Sequence, residues 1–343
     1  MGVGENMKGF GSILRDYLKY YKISQSDFAD RLGITQKHMN EIINGKTRLS
    51  TELIISISLL TDIDANLIYY TEYKKKIYDE LNEKYKDKKE INEIFKKFYL
   101  NELVKKNWIK LKDESSYVQK YIDLLEYLNV SSLDILDKYI NNRFVFKKKD
   151  DADINKIYLW IKHCDYMTKD ISVPKYNPSN FNDLLNDLKE ERVKTFNKNN
   201  LINILSKYGI ILYIEDALKG SKIRGCSKVM DETPTIYLTL YKKEKSSIYF
   251  ALYHELMHIK KDYNSLRKKT IINTDEDEID TLALNEMIDE KTYDLIINNY
   301  EDRDKICKNN KIPLSFLYTR LALNGKIKYS SKEYIDHIEM IEE

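Results

Sequence analysis

The sequence predicts a mainly α-helical protein with a small β-sheet, an α+β fold. Only four prolines and ten glycines interrupt the 343 residues, so few positions break a helix. Apolar residues recur at helical spacings of three and four in most segments, whereas the alternation typical of strands is confined to a short stretch before residue 242. The length predicts more than one domain. We expect a domain over residues 1–70, a helical connector over 71–190 and a second domain over 191–343.

The first predicted domain has the pattern of a helix-turn-helix. An amphipathic helix begins over Ile13–Leu18, and Ser24 is a suitable N-cap for the next helix. Gly33 permits the tight turn, and Thr35 caps a predicted recognition helix over Thr35–Ile43. Leu53–Leu60 supplies a supporting fourth helix.

This pattern resembles the phage-repressor, Xre-like class of λ-repressor-like domains, which carry glutamines at the starts of their two central helices, here Gln25 and Gln36. The resemblance implies a homodimer that binds paired half-sites in operator DNA. The side chains expected to reach base edges are Gln36, Lys37 and Asn40. Those expected to contact phosphates are Gln25, Asn44, Lys46 and Arg48.

The charge of this region leaves a second interpretation open. Residues 1–70 contain eight lysines and arginines and eight aspartates and glutamates, so no broad basic field marks the domain. A helical domain that binds protein and has lost DNA binding is therefore the alternative.

The connector is predicted to be helical over most of its length. Ile91–Leu111 is amphipathic, and Val118–Leu128 has the same character. The run Lys147–Asp151 is expected to form a surface loop. Pro174 and Pro178 mark a break before the next helix.

The segment His254-Glu255-Leu256-Met257-His258 is the most informative part of the chain. On a helix it places two imidazoles four residues apart on one face, with the carboxylate of Glu255 beside them, which is how zinc peptidases hold the metal and activate a water. A separate apolar stripe supports the helix: Ile248, Leu252, Leu256 and Ile259. The alternative is a buried helix whose histidines are only hydrogen-bonded.

A zinc ion needs a third protein ligand. The acidic run Thr274–Asp280 is the best source, and it opens a second helical pattern that Thr274 or Asp275 would cap. Spacing alone does not choose among Glu276, Glu278 and Asp280. These acids could also serve only to complement the N-terminus of the helix.

Tyr253–His258, followed by Glu278–Ala283, resembles the ImmA/IrrE family of metallopeptidases. The resemblance implies a zincin-like fold, Zn²⁺ as cofactor, His254, His258 and Glu278 as its ligands, and Glu255 as general base. The second motif departs from the family pattern at Ile279, Leu282 and the absent proline, and Met257 replaces a small residue.

Three strands are expected before the motif. One follows the helix stop at Gly209, another covers Arg224–Val229, and the third runs over Pro234–Tyr241. Pro234 at the start of the third strand suits a sheet edge. In zinc peptidases an edge strand above the metal can hold an extended peptide by strand addition.

The order of the regions resembles HigA-like antitoxins and phage-type regulators that carry an ImmA/IrrE domain. It implies a protein partner, a toxin or a repressor, that the peptidase cleaves. A catalytically silent fold that only docks the partner and shapes the dimer is the alternative. The net charge of +2, the three unpaired cysteines and the lack of a membrane-length apolar run or signal peptide predict a cytoplasmic protein.

Overall fold

The described residues are mostly helical with one small sheet, as predicted, although the sheet has five strands where three were expected. The computed structural model describes residues 7, 9–85, 87–136, 139–140, 144–146, 153–267, 270–272 and 276–341. Tertiary packing divides the chain into two units, Met1–Asn129 and Val130–Glu343. None of the helices in the described residues is long and apolar enough to cross a membrane.

The predicted three-part division differs from these two units. The helix Ala65–Lys84 runs through the expected boundary at residue 70. The predicted connector is divided at Asn129, so its first half packs in the first unit and its second half in the other. Because each half buries apolar residues within its own unit, neither behaves as a separate linker.

The first unit begins with five helices. These are α1 (Phe10–Tyr20), α2 (Gln25–Leu32), α3 (Gln36–Ile43), α4 (Thr51–Thr61) and α5 (Ala65–Lys84). They enclose one core in which Phe10, Leu14, Phe28, Met39 and Ile57 are fully buried. The predicted amphipathic helix, turn, recognition helix and fourth helix are all present.

Further helices complete the described part of this unit. They are α6 (Lys88–Lys97), α7 (Leu100–Lys105) and α8 (Tyr117–Leu128). The predicted single helix over Ile91–Leu111 is broken at Tyr99, whose φ of 53° is left-handed. The Tyr70 hydroxyl of α5 donates to Gln119 at 2.9 Å, and the Gln119 amide donates to Asp123 at 2.7 Å. A buried polar chain therefore ties α8 to α5.

The second unit combines the sheet with further helices. The strands are β1 (Phe144–Phe146), β2 (Ile211–Ile214), β3 (Gly225–Met230), β4 (Thr233–Leu238) and β5 (Thr270–Ile272). The helices are α9 (Ile154–Thr168), α10 (Phe181–Glu191), α11 (Lys198–Lys207), α12 (Lys245–Leu266), α13 (Glu276–Met287), α14 (Glu290–Asn298), α15 (Arg303–Asn309), α16 (Leu314–Leu323) and α17 (Lys332–Ile335). The predicted loop Lys147–Asp151 and the predicted caps Thr274 and Asp275 lie outside the described residues.

The strand order is β1-β5-β3-β4-β2. β4 pairs with β2 in parallel and with β3 in antiparallel orientation. The prediction that the strand starting at Pro234 lies at an edge is therefore wrong. Pro234 is tolerated because the pairing with β2 begins one residue later, at Thr235, so its missing N–H breaks no bond to that strand.

The two faces of the sheet have different partners. Gly225 of β3 lies against the motif helix α12. Three residues further along β3, the ammonium group of Lys228 is ion-paired with Asp165 of α9, and the Tyr237 hydroxyl donates to the same carboxylate at 2.9 Å. Since neighbouring side chains of a strand alternate between faces, α12 covers one face and α9 the other. The motif helix is thus held against a sheet that is backed by a second helix.

Candidate metal centre and nucleic-acid interface

The motif helix α12 is buried along most of its length. Ile248, Leu252, Leu256 and Ile259 are all at most 2% exposed, which confirms the predicted apolar stripe. His254, Glu255 and His258 are also buried. A buried imidazole or carboxylate needs a partner that compensates for its lost hydration, so each of these three side chains should have one nearby.

The two imidazoles converge. The Nε2 atoms of His254 and His258 are 3.2 Å apart. Two nitrogen ligands of a tetrahedral zinc ion stand about 3.3 Å apart, given Zn–N bonds of about 2.0–2.1 Å. The pair is therefore spaced for one ion between them. On the other side of the His254 ring, Nδ1 lies 2.8 Å from Oδ1 of Asp280.

A third group comes from the start of α13. One ligand atom each from His254, Glu276 and Asp280 lie within 4.8 Å of one another. Glu276 is buried, and its Oε1 has no hydrogen-bond partner among the residues that the structure describes. A buried carboxylate with an unpaired oxygen, clustered with the His254 imidazole, fits the oxygen and nitrogen donor set that zinc accepts.

Glu278, the third ligand implied by the ImmA/IrrE resemblance, does not join this cluster. Its carboxylate pairs with Lys261, and its side chain is 53% exposed. Residues 276 and 280 are one helical turn apart and share a face of α13, whereas residue 278 lies on nearly the opposite side. The geometry corrects the choice among the three acids in favour of Glu276 and Asp280.

The two acids of α13 have different relations to His254. Asp280 bonds to Nδ1, the nitrogen that faces away from His258. A carboxylate in that position fixes the ring and its tautomer, as the outer partners of metal-binding histidines do. Glu276 has the unpaired oxygen. His254 therefore lies between His258 of α12 and the acids Glu276 and Asp280 of α13, and Asp280 has the position of an orienting group.

The side chain of Glu255 extends from α12 toward Gly225 of β3. Its Oε2 is buried and has no hydrogen-bond partner within the described part of the chain. A Cβ atom at Gly225 would lie 2.7 Å from its Oε1, so only glycine leaves room for this carboxylate. Burial raises the pKa of Glu255 to about 7, against the opposing charge of His254. A carboxylate with such a pKa can both take up and release a proton near neutral pH.

The two histidines differ in basicity. Burial, followed by the charge of the neighbouring His254, lowers the pKa of His258 to about 3. For His254, burial opposes the charged form, but the hydrogen bond with Asp280 and the charges of nearby carboxylates raise its pKa above the ordinary value. His258 is therefore neutral, as a metal ligand must be.

Sequence reasoning missed two arginines that hold the other end of α13. Arg192 donates to the carbonyls of Glu286 and Met287 at 2.9 and 3.0 Å. Arg320 donates to the carbonyls of Leu284, at 3.2 Å, and Ile288. Both arginines are at most 6% exposed. They donate to carbonyls at the C-terminal end of α13, where a helix runs out of backbone donors. The one available signal was that Arg320 is the single charge in the otherwise uncharged helix Leu314–Leu323.

In the first unit, local caps build the helix-turn-helix. The Ser24 hydroxyl accepts from the Asp27 amide at 3.0 Å, and the Thr35 hydroxyl accepts from the His38 amide at 3.2 Å. Gly33 adopts the left-handed conformation, with φ of 69°, that ends α2. These features confirm the predicted start of the recognition helix α3.

The predicted DNA-contacting side chains form an exposed set. All seven are solvent-exposed: Gln25, Gln36, Lys37, Asn40, Asn44, Lys46 and Arg48. They lie on α2, on α3 and in the loop after α3, while Met39 and Ile42 fill the core from the buried side of α3. The recognition helix therefore has one face for packing and another free to enter a groove.

Comparison with known proteins supports this assignment. Residues 14–68 match the helix-turn-helix family model. A stretch of 65 residues is 29% identical to the ImmF control region 10 kDa protein of Bacillus phage phi105, covering 19% of this chain and 72% of that protein. No solved structure matches the chain. Residues 14–68 are thus a helix-turn-helix domain of the Xre-like class, and these findings support a DNA-binding transcriptional regulator.

Proposed function

We propose that the protein is a transcriptional regulator that binds operator DNA as a homodimer and carries a zinc-dependent peptidase in its second unit. The observations that carry the peptidase part are the meeting of His254 with His258, the clustering of His254 with Glu276 and Asp280, and the buried, unpaired Oε2 of Glu255. The DNA-binding part is supported by the helix-turn-helix match and by the exposed polar face of α3.

In this proposal the DNA-contacting residues keep the roles expected from the sequence. Gln36, Lys37 and Asn40 reach base edges in the major groove. Gln25, Asn44, Lys46 and Arg48 contact phosphates and fix the position of the domain on the duplex. The balanced charge of the region favours specific contacts over a strong non-specific attraction.

The second unit would hold one zinc ion through His254, His258 and Glu276. When bound, the ion acts as a Lewis acid and lowers the pKa of a coordinated water. Asp280 keeps the His254 ring in place through Nδ1. Glu255 takes the proton of the attacking water and passes it to the leaving nitrogen of the cleaved peptide bond. Its raised pKa suits both steps.

The substrate is proposed to be a partner protein, a repressor or a toxin. The similarity to a phage control-region protein favours a regulatory setting for the first unit. A peptidase tethered to an operator-binding domain acts at a high effective concentration on proteins bound at the same operator. The competing candidate is a catalytically silent second unit that only docks the partner, because ligands can persist without turnover.

Metal content tests the peptidase part. The full-length protein, purified without chelator or affinity-tag metal, is expected to contain about one zinc per chain. His254→Ala and Glu276→Ala should lose the metal. Glu278→Ala is the matched control, since it removes a carboxylate two residues away that pairs with Lys261, and it should retain the zinc.

Zinc retained in Glu276→Ala and lost in Glu278→Ala would overturn the ligand assignment. Glu255→Gln should keep the zinc and abolish cleavage of proteins encoded beside this chain. Cleavage that survives in Glu255→Gln would overturn its role as general base, and wild-type protein that holds zinc but cleaves none of them would favour the silent docking fold.

A further inference from the structure

The two imidazoles of the proposed zinc site differ in what their outer nitrogens meet. The Nε2 atoms of His254 and His258 face each other at 3.2 Å, so the Nδ1 atom of each ring lies on the side away from the pair. Nδ1 of His254 has Oδ1 of Asp280 at 2.8 Å. Nδ1 of His258 is buried and has no hydrogen-bond partner among the described residues. One ring is thus held by a carboxylate, and the other has an unpaired nitrogen.

A second aspartate stands beside that unpaired nitrogen. Oδ2 of Asp262, one helical turn after His258, lies 3.7 Å from Nδ1 of His258. The Asp262 side chain is partly exposed, and its carboxylate makes no hydrogen bond within the part of the chain that the structure describes. The distance is just beyond hydrogen-bonding range, and a small rotation of the carboxylate would close it. An unused acceptor therefore faces an unused ring nitrogen.

The backbone of the motif helix changes at the same residue. Within α12, Asp262 is the residue that departs from helical geometry, with φ of −117° and ψ of 19°. Because the direction of a Cα–Cβ bond follows the backbone, this departure directs the Asp262 side chain independently of the helical repeat. The carboxylate then lies on the outer side of the His258 ring, away from His254.

Metal binding makes a demand on that outer nitrogen. A neutral histidine that binds a metal through Nε2 carries its proton on Nδ1. This N–H usually donates to a carboxylate, a backbone carbonyl or a water, which fixes the ring and raises the basicity of the ligating nitrogen. A buried N–H that found no acceptor would cost the desolvation of the group. A zinc ion at Nε2 of His258 therefore calls for an acceptor where Asp262 lies.

We propose that Asp262 is a positioning residue, which accepts the Nδ1 hydrogen of His258 and aligns its Nε2 with the zinc ion, as Asp280 does for His254. This inference rests on the proposed zinc site. It gives each histidine ligand a carboxylate of its own, one from α12 and one from α13.

Competition for Zn²⁺ between a chelator of known affinity and the full-length protein tests this role. Asp262→Ala should weaken zinc binding by about 10–100-fold, because the His258 N–H loses its acceptor. Asp262→Glu keeps a carboxylate on a side chain that reaches further, so it should restore most of the lost affinity. Asp277→Ala removes an exposed carboxylate next to Glu276 and controls for the loss of negative charge near the site. It should change zinc affinity much less than Asp262→Ala does.

A second readout separates positioning from a structural role at the helix break. The denaturation midpoint of the metal-free protein should be the same in Asp262→Ala and the wild type, because a pair 3.7 Å apart makes no hydrogen bond that the folded chain would lose. A structural role would lower that midpoint. If Asp262→Ala fails to fold, Asp262→Asn keeps the shape of the side chain and should still weaken zinc binding, because an amide oxygen is a weaker acceptor than a carboxylate.

Two results would overturn the role of Asp262 alone. In one, Asp262→Ala binds zinc as tightly as the wild type or the Asp277→Ala control. In the other, Asp262→Glu binds zinc no better than Asp262→Ala. Wild-type protein that takes up no zinc on titration would instead overturn the proposed zinc site, and this inference with it.

Discussion

Nδ1 of His254 lies 2.8 Å from Oδ1 of Asp280, while its Nε2 lies 3.2 Å from Nε2 of His258. One nitrogen of the ring is thus engaged by a carboxylate, and the other faces the second imidazole. In the proposed zinc site, this division of roles makes Asp280 an orienting group and leaves Glu276 as the third ligand.

The first prediction concerns Asp280. Asp280→Asn should weaken zinc binding by about 10–100-fold, because the amide holds the His254 ring less firmly than the carboxylate does. Competition against a chelator of known affinity measures the effect. Glu278→Gln changes the same functional group on the exposed side of α13 and should leave zinc affinity unchanged. Equal effects in the two variants would contradict the role of Asp280.

Structural features that depend on contacts between residues close in sequence could be predicted from the sequence. Ser24, Gly33 and Thr35 cap or end helices through contacts within three residues, so their positions could be read directly from the sequence. The motif helix could be predicted equally well, because its apolar stripe and its two histidines both recur at helical spacing.

The third ligand of the proposed zinc site could not be predicted in the same way. The path of the chain between α12 and α13 decides which face of α13 meets His254. The spacing of residues in the sequence does not determine that path. The same four-residue spacing that pairs His254 with His258 also pairs Glu276 with Asp280, and this was the signal that could have favoured them over Glu278. The interior position of β4 in the sheet could not be predicted either, because β4 pairs with β2 although β3 lies between them in the sequence.

The second prediction concerns Gly225. A Cβ atom there would meet Oε1 and Cγ of Glu255 at 2.7 and 2.9 Å and the Leu238 side chain at 3.0 Å. Gly225→Ala should therefore lower the free energy of unfolding by about 1–3 kcal/mol, with Glu255 displaced from its position. Chemical denaturation measures the loss. In the control Gly9→Ala the new Cβ would come no closer than 3.4 Å to a neighbour. A Gly225→Ala protein as stable as the control would show that Glu255 moves aside freely.

The third prediction concerns the anchoring of α13. Arg320→Met should lower the free energy of unfolding by about 2 kcal/mol or more, because the carbonyls of Leu284 and Ile288 lose a buried donor. Zinc affinity should fall as well, since Glu276 and Asp280 lie on the same helix. The control Arg267→Met removes a half-exposed arginine paired with Glu232 and should change stability by less than about 1 kcal/mol. Similar losses in both variants would argue against a specific role for Arg320.

The fourth prediction concerns metal removal. A ligand that binds only the folded state stabilises it by about 2.7 kcal/mol at a free concentration of 100 times its dissociation constant. Added zinc should therefore raise the thermal midpoint of the wild-type second unit, and a chelator should reverse the change. Glu276→Ala should show no such rise, whereas Glu278→Ala should respond as the wild type does. A rise that persists in Glu276→Ala would place the zinc elsewhere.

The last prediction concerns the recognition helix. Gln36 and Lys37 begin α3 and are exposed, so the double change to alanine removes two predicted base contacts without touching the core. We expect operator binding to weaken by about 1–3 kcal/mol for each of the two side chains, with an unchanged melting temperature. Titration of a selected duplex at several salt concentrations measures the loss of binding free energy. Lys110→Ala removes an exposed lysine outside residues 14–68 and controls for the loss of charge alone.

Two readouts separate the roles of Gln36 and Lys37. Removing a phosphate contact lowers the dependence of binding on salt concentration, whereas removing a base contact reduces the discrimination between DNA sequences. Operator affinity that survives the double change would leave α3 without a part in readout.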